Sequence, residues 1–122
     1  MSTANQKTGQ RGEELAADHL RHNGYVIITT NWHCKVGEID IVANKDDVLV
    51  FVEVRTRHAA TTESALESIT PSKRQKMINS AYTYVNANDL PSETFWRIDV
   101  IAVALDRSGS PIIDHVEDAL GW

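Results

Sequence analysis

Asp40, Glu53 and Arg55 are the side chains of this 122-residue chain whose types and spacing could do chemistry. They stand in GEIDIVANKDDVLVFVEVR, Gly37 to Arg55, which reads as two strands joined by a polar turn. With Asn44 to Asp47 as the connection, Ala43 faces Val48, Asp40 faces Phe51 and Glu38 faces Glu53. Residues two apart share a strand face, so Glu38, Asp40, Glu53 and Arg55 share one. Asp40 and Glu53 are then diagonal neighbours, with Cα atoms roughly 7–8 Å apart. Like charges facing across a hairpin destabilise it, and burial worsens the cost. A divalent cation resolves the conflict, because Mg²⁺ takes hard oxygen ligands at about 2.0–2.1 Å and completes its octahedron with water. The spacing alone equally allows a wet hairpin face with Glu and Arg as ordinary polar partners.

The flanking residues narrow this choice. Ile39, Ile41 and Ala43 line up with Val48, Val50, Val52 and Val54 as one core face. Val42, Leu49 and Phe51 make the acid face apolar near the turn as well. That pattern fits a mostly buried sheet with a cleft at one edge.

Other elements must position this pair. Residues 1–8 read as a loose tail, and 9–122 as one domain, since this length supports a single core. A helix is expected over about Gln10–Asn23, stopped by Gly24. Strands follow over Tyr25–Trp32, Glu38–Ala43 and Val48–Arg55. Residues 56–69 read as a loop with a short helix. Thr70 as N-cap and Pro71 at the first position open a helix to about Ala87, burying Met77, Ile78, Ala81, Tyr84 and Val85. Trp96–Leu105 is a further strand, PIIDHV a short edge strand, and the last residues a frayed turn. The order α-β-β-β-α-β-β implies an α/β fold with a central mixed sheet flanked by helices.

Composition and motifs exclude several classes. No apolar run reaches membrane-span length, and the N-terminus lacks the apolar centre of a signal peptide. Cys34 is the single cysteine, which fits a reducing, cytoplasmic setting. The formal net charge of −5 disfavours unspecific adhesion to nucleic acid. No zinc spacing, nucleophile elbow or Gly-rich phosphate loop is present. Trp32, Trp96 and Trp122 read first as core or staples, and Trp32, beside the loop leading to the site, is the one open to base stacking.

An acidic strand position, a hairpin and then Glu-x-Lys is the metal-site pattern of the PD-(D/E)xK nucleases, and this stretch resembles it. More narrowly, the chain resembles the small bacterial YraN-type family, grouped with Holliday-junction resolvases. The matching blocks are GEELAADHLRHNGY (Gly12–Tyr25), GEIDIVA (Gly37–Ala43), VFVEVRTR (Val50–Arg57), SKRQKMINSAYTYV (Ser72–Val85) and RIDVIAV (Arg97–Val103). They span nearly the whole chain in order. The resemblance implies a restriction-endonuclease-like domain and a metal-dependent endonuclease acting on branched or single-stranded DNA.

It further implies that Asp40 and Glu53 ligate Mg²⁺ or Mn²⁺, with the Val54 carbonyl as a third ligand. Glu13 matches an acid of the first helix that would bind a second metal or its water. From the residues alone, Glu13 and Glu14 are first-turn acids that complement a helix dipole. Glu38 stands behind the ligands, or pairs with Lys35 or Arg55. Asp99 has a supporting role, pairing with Arg97 or Arg57. Arg55 departs from the superfamily Lys. Arginine cannot act as a general base, but it can hold a phosphate oxygen bidentately. Arg55, Arg57, Lys73 and Lys35 form a phosphate track around the acids, with Lys73 at a positive helix end. Arg74 and Lys76 read equally as a solvated helix face. Two other readings stay open: a nucleic-acid-binding module without turnover, favoured by Arg55 and the net charge, and a protein-interaction domain. Resolvases work as dimers on two-fold junctions, so a homodimer is also open.

Overall fold

Three β-rich segments separated by tight turns fold as an antiparallel meander in the computed structural model, which describes residues 3–107 and 109–120. They are β1 (Val26–Cys34), β2 (Gly37–Lys45) and β3 (Val48–Arg57). Helix α1 (Ala4–His22) precedes them, and the short α2 (Glu63–Glu67) and longer α3 (Pro71–Ala87) follow. The chain then adds β4 (Trp96–Ala104) and β5 (Ile112–Val116). All five strands form one sheet in sequence order, antiparallel except for the β3–β4 pair. A parallel pair needs a long crossover, which α2 and α3 supply. The α/β order is the expected one, with α2 as the short helix foreseen in the loop. Gly121 and Trp122 lie outside the described residues.

The helices cover opposite faces. Ala16 and Leu20 of α1 pack on Ile41, Ala43, Val50, Val52, Ile101 and Val103. Met77, Ala81 and Tyr84 of α3 pack on Val42, Leu49, Phe51, Ile98 and Val100. The central strands are therefore apolar on both sides. Trp32 stacks edge-on against Tyr84 in this second core, so it is a packing residue rather than an open platform for a base. No helix among the described residues is long and apolar enough to cross a membrane.

Three sequence expectations change. First, α1 starts at Ala4, because Thr3 and Gln6 form a reciprocal capping box. Residues 4–8 are thus helical rather than a tail, and Glu13 and Glu14 lie mid-helix, where first-turn dipole stabilisation does not apply.

Second, the β2–β3 connection is the two residues Asp46 and Asp47, with φ of 50° and 66°. Positive φ at both positions is the primed hairpin turn that Asp tolerates. Lys45 therefore faces Val48, and Ala43 faces Val50. This register differs from the expected one by two residues, so faces are kept and partners change. The ladder ends at Ile41 opposite Val52, and the next residues in line are Asp40 and Glu53. They are opposed rather than diagonal.

Third, Ile41 packs under α1, whereas Ile39 packs under α3. The two-residue alternation of β2 thus breaks at Asp40. Thr30 pairs Ile41 and Trp32 pairs Ile39, which puts Asn31 across from Asp40. Asn31 has a φ of 51°, a left-handed backbone that asparagine tolerates.

Candidate functional site

The break at Asp40 opens a gap between β2 and β3, and the side chain fills it. The Val54 N–H donates to Asp40 Oδ2 at 2.8 Å, so a carboxylate takes the place of a β2 backbone acceptor. The N–H and C=O of one strand residue point to the same neighbour. The Val54 carbonyl therefore lies on this same edge of β3. Asp40 and Glu53 are only 6 % and 8 % exposed, and a hydrogen bond joins their carboxyls.

Two cations approach Glu53 from different elements. Arg55 Nη1 lies 3.4 Å from Glu53 Oε1, and Lys73 Nζ lies 3.9 Å from the same oxygen. Arg55 is two residues along β3 and is steered by the residue that caps α2: its Nε donates to Ser68 Oγ at 2.8 Å. Lys73 is delivered by the start of α3, where Thr70 caps the Lys73 N–H at 3.1 Å and Pro71 occupies the first turn.

Burial, and next the Asp40 charge, push Glu53 up to about 8 against the pull of Lys73 and Arg55. Burial also raises Asp40, opposed first by the Val54 N–H. The shared hydrogen bond lowers Asp40 and raises Glu53, which places the proton on Glu53. Near neutral pH Glu53 is therefore held mostly in its acid form. Glu13 joins it from α1: burial and then the Asp40 charge raise its carboxyl, and the Asn31 side chain hydrogen-bonds it.

α1 comes this close because Gly12 is buried against β3. A Cβ at that position would overlap the Thr56 side chain.

Glu13, Asp40, Glu53, Val54, Arg55 and Lys73 are therefore neighbours, drawn from α1, β2, β3 and α3. The remaining sequence candidates are placed differently. Glu38 is exposed and pairs with His33 at 3.4 Å, not with Lys35 or Arg55. The changed register also removes it from opposite Glu53. Lys35 is exposed in the β1–β2 turn. Arg57 is exposed at the end of β3 and lines a groove with Glu13 and Arg55. Asp99 is fully buried and binds Arg97 Nε at 2.9 Å, His115 Nε2 at 2.8 Å and the Asp118 N–H at 3.0 Å. Burial raises it, but these hydrogen bonds together hold it below the usual carboxylate range. Its partner is thus Arg97, and it braces β4 against β5. Asn31 and Ser68 were not singled out from the sequence. A polar residue inside the β1 run was the one signal for Asn31; Ser68 gave none.

A profile of "Uncharacterised protein family UPF0102" matches residues 12–103. The chain belongs to that family. It is 50% identical over 123 residues to a UPF0102 protein of Chloroflexus aurantiacus, covering 99% of this chain and 98% of that one. Identity is 44% over 115 residues with a UPF0102 protein of Roseiflexus castenholzii, covering 93% of each chain. A UPF0102 protein of Clostridium botulinum is 37% identical over 110 residues, covering 90% of this chain and 89% of that one. The UPF0102 match begins at Gly12, and so includes Glu13 with the rest of the acidic site.

The donor set of this UPF0102 member suits a hard cation. Asp40 and Glu53 supply carboxylate oxygens, and Val54 supplies a carbonyl on the same edge. Among the described residues, no three His, Cys, Asp or Glu side chains are grouped so that they could hold a metal ion. An ion held here would keep several waters, which is the habit of Mg²⁺ rather than of zinc.

Proposed function

We propose that this chain is a Mg²⁺- or Mn²⁺-dependent endonuclease of the restriction-endonuclease-like kind, acting on DNA. The observation that carries the reading is the buried Asp40–Glu53 pair at the β2–β3 opening. Two opposed acids in a sheet interior cost stability, and a cation that replaces their shared proton turns that cost into binding. When bound, the cation supplies Lewis-acid chemistry, lowering the pKa of water and offsetting phosphate charge.

The chain's own residues do the rest. Asp40, fixed by the Val54 N–H, and Glu53 would hold the cation together with the Val54 carbonyl. Glu13, close enough to feel the Asp40 charge, would bind a second metal or a water of the first. Arg55, braced by Ser68, presents a planar cation to a phosphate oxygen and stabilises charge developing on it. Lys73 reaches the same carboxylate from α3 and supplies the ammonium that β3 lacks at position 55. The Lys of the superfamily pattern thus has a stand-in from another element.

Arg55 gives weight to a second reading, a nucleic-acid-binding module without turnover, because arginine cannot serve as a base. The test is incubation with branched, flapped and single-stranded DNA in Mg²⁺ or Mn²⁺, beside Asp40→Asn and Glu53→Gln. Cleavage by the wild type that both variants lack supports the nuclease. Binding with no product on any substrate favours the second reading, and cleavage by Glu53→Gln at the wild-type rate would sink the site.

A further inference from the structure

Two grooves meet at Glu13, on either side of α1, and they carry opposite charge. One, of about 440 Å³, runs between the start of α1 and the end of β3 and is lined by Arg55, Arg57 and His58. It continues through His58 into a second hollow of about 530 Å³ beside Asp106 and Arg107. The resulting trough holds three arginines and a histidine against two acids, Glu13 and Asp106, with Arg55 also facing Glu53 at 3.4 Å. The other groove, of about 580 Å³, lies between α1, β1 and β2 and carries Glu13, Glu14, Asp18 and Asp40. Its single cation, Arg21, is already paired with Asp18 at 3.4 Å.

We propose that the trough from Arg55 through Arg57 and His58 to Arg107 carries one unpaired polynucleotide strand away from the acidic site. This rests on the nuclease reading above and names its substrate class. A single strand is tracked by a cationic groove, and Arg57, His58 and Arg107 line this one. Thr8 Oγ1 lies 2.9 Å from His58 Nε2, so the imidazole is held at the point where the two hollows join. A second phosphate backbone lying on the other side of α1 would meet Glu14 and Asp18. Such built-in repulsion is how a surface rejects a competing ligand. The acid groove therefore selects against paired substrate, and the trough selects for the strand.

The experiment measures anisotropy of a labelled oligothymidylate, alone and annealed to oligoadenylate, on the Glu53→Gln protein across a salt series. The single strand should bind more tightly than the duplex. Arg57→Ala and Arg107→Ala should each lower affinity and flatten the log–log salt slope by about 0.7, the value for one phosphate contact on a single strand. Arg57→Lys should keep the slope, and Arg11→Ala, outside both grooves, should change nothing. Glu14→Lys with Asp18→Lys should improve duplex binding more than single-strand binding.

Equal binding of duplex and single strand, unmoved by that reversal, overturns the proposal. So do trough variants that bind like their parent, or a parent that binds neither ligand. The nuclease reading is judged separately by cleavage with the wild type. Cleavage with an inert trough removes only the trough. Trough-dependent binding with no cleavage of any substrate removes only the nuclease.

Discussion

The Asp40 carboxylate accepts the Val54 amide proton at 2.8 Å, a hydrogen bond that a neighbouring strand's backbone would otherwise have taken. The site is thus tied into the sheet's own bonding, and substitutions at Asp40 should separate charge from geometry.

Asp40→Asn keeps an oxygen for the Val54 N–H and removes the charge that helps force a proton onto Glu53. Without metal it should melt higher, by about 1 kcal/mol or roughly 3–5 °C for a domain of this size. Asp40→Ala should lose that gain, because a strand N–H is left without its acceptor at about 1–3 kcal/mol. For the wild type, Mg²⁺ at a hundred times its dissociation constant should add about 2.7 kcal/mol, and both variants should lack this response. Differential scanning calorimetry with and without Mg²⁺ reads all three.

The pH dependence follows from Glu53, whose carboxyl is raised from 4.5 to about 8. Between these values the folded state keeps a proton that the unfolded state has released. Metal-free stability should therefore be greatest below 4.5 as far as this group is concerned, and should fall as pH rises to about 8. The slope is at most about 1.4 kcal/mol per pH unit. His19, lowered by burial and then by His115, opposes this on the acid side, so the difference between wild type and Glu53→Gln is the quantity to plot. Because the cation displaces the proton, its apparent affinity should climb with pH up to about 8 by calorimetric titration.

Gly12→Ala would ordinarily strengthen a helix by about 1 kcal/mol. Here the added methyl meets Thr56, so the variant should be less stable by about 1–3 kcal/mol. It should also carry Glu13 away from Asp40. Adding Thr56→Ala removes two of the three atoms in the way and should recover part of both stability and metal affinity. Denaturant melts and metal titration of the single and double variants check this.

Arg97→Ala leaves Asp99, fully buried, without its guanidinium. The cost should be about 3–5 kcal/mol, as for other broken buried pairs. Removing both charges with Asp99→Asn and Arg97→Met should cost less than Arg97→Ala. Where the proteins remain folded, metal affinity should be unaltered, since Asp99 contacts Arg97, His115 and Asp118 rather than the site acids.

Local signals were the legible ones. Thr70 and Pro71 announce α3 to the residue, and alternating Val and Ile around an acidic turn announce the β2–β3 hairpin. Both depend on neighbours in sequence. The true start of α1 was hidden because its capping box is polar and its apolar period begins only at Leu15. The hairpin register was missed by two residues because KDD offers several turns, and φ values choose among them. The face change at Asp40 was not legible at all, since it depends on Asn31 across the sheet. Lys73 was named as a phosphate ligand from its helix end, but its approach to Glu53 is a property of the crossover. Ser68 holding Arg55 is likewise a contact between elements, which periodicity cannot reveal.

The single parallel pairing in the sheet has a consequence for how the molecule assembles in time. β1, β2 and β3 meet through short turns, so Asp40 and Glu53 can be brought opposite each other early. β3 reaches β4 only after α2 and α3 have formed the crossover, and such non-local pairing is slow. Until then the two acids remain hydrated and Lys73 is absent. The conflict between the carboxylates is therefore created late, and we expect it to arise beyond the main barrier to folding. A cation that relieves it should slow unfolding while leaving the refolding rate nearly unchanged. Stopped-flow traces in Mg²⁺ and in chelator should show the two arms of the chevron responding unequally.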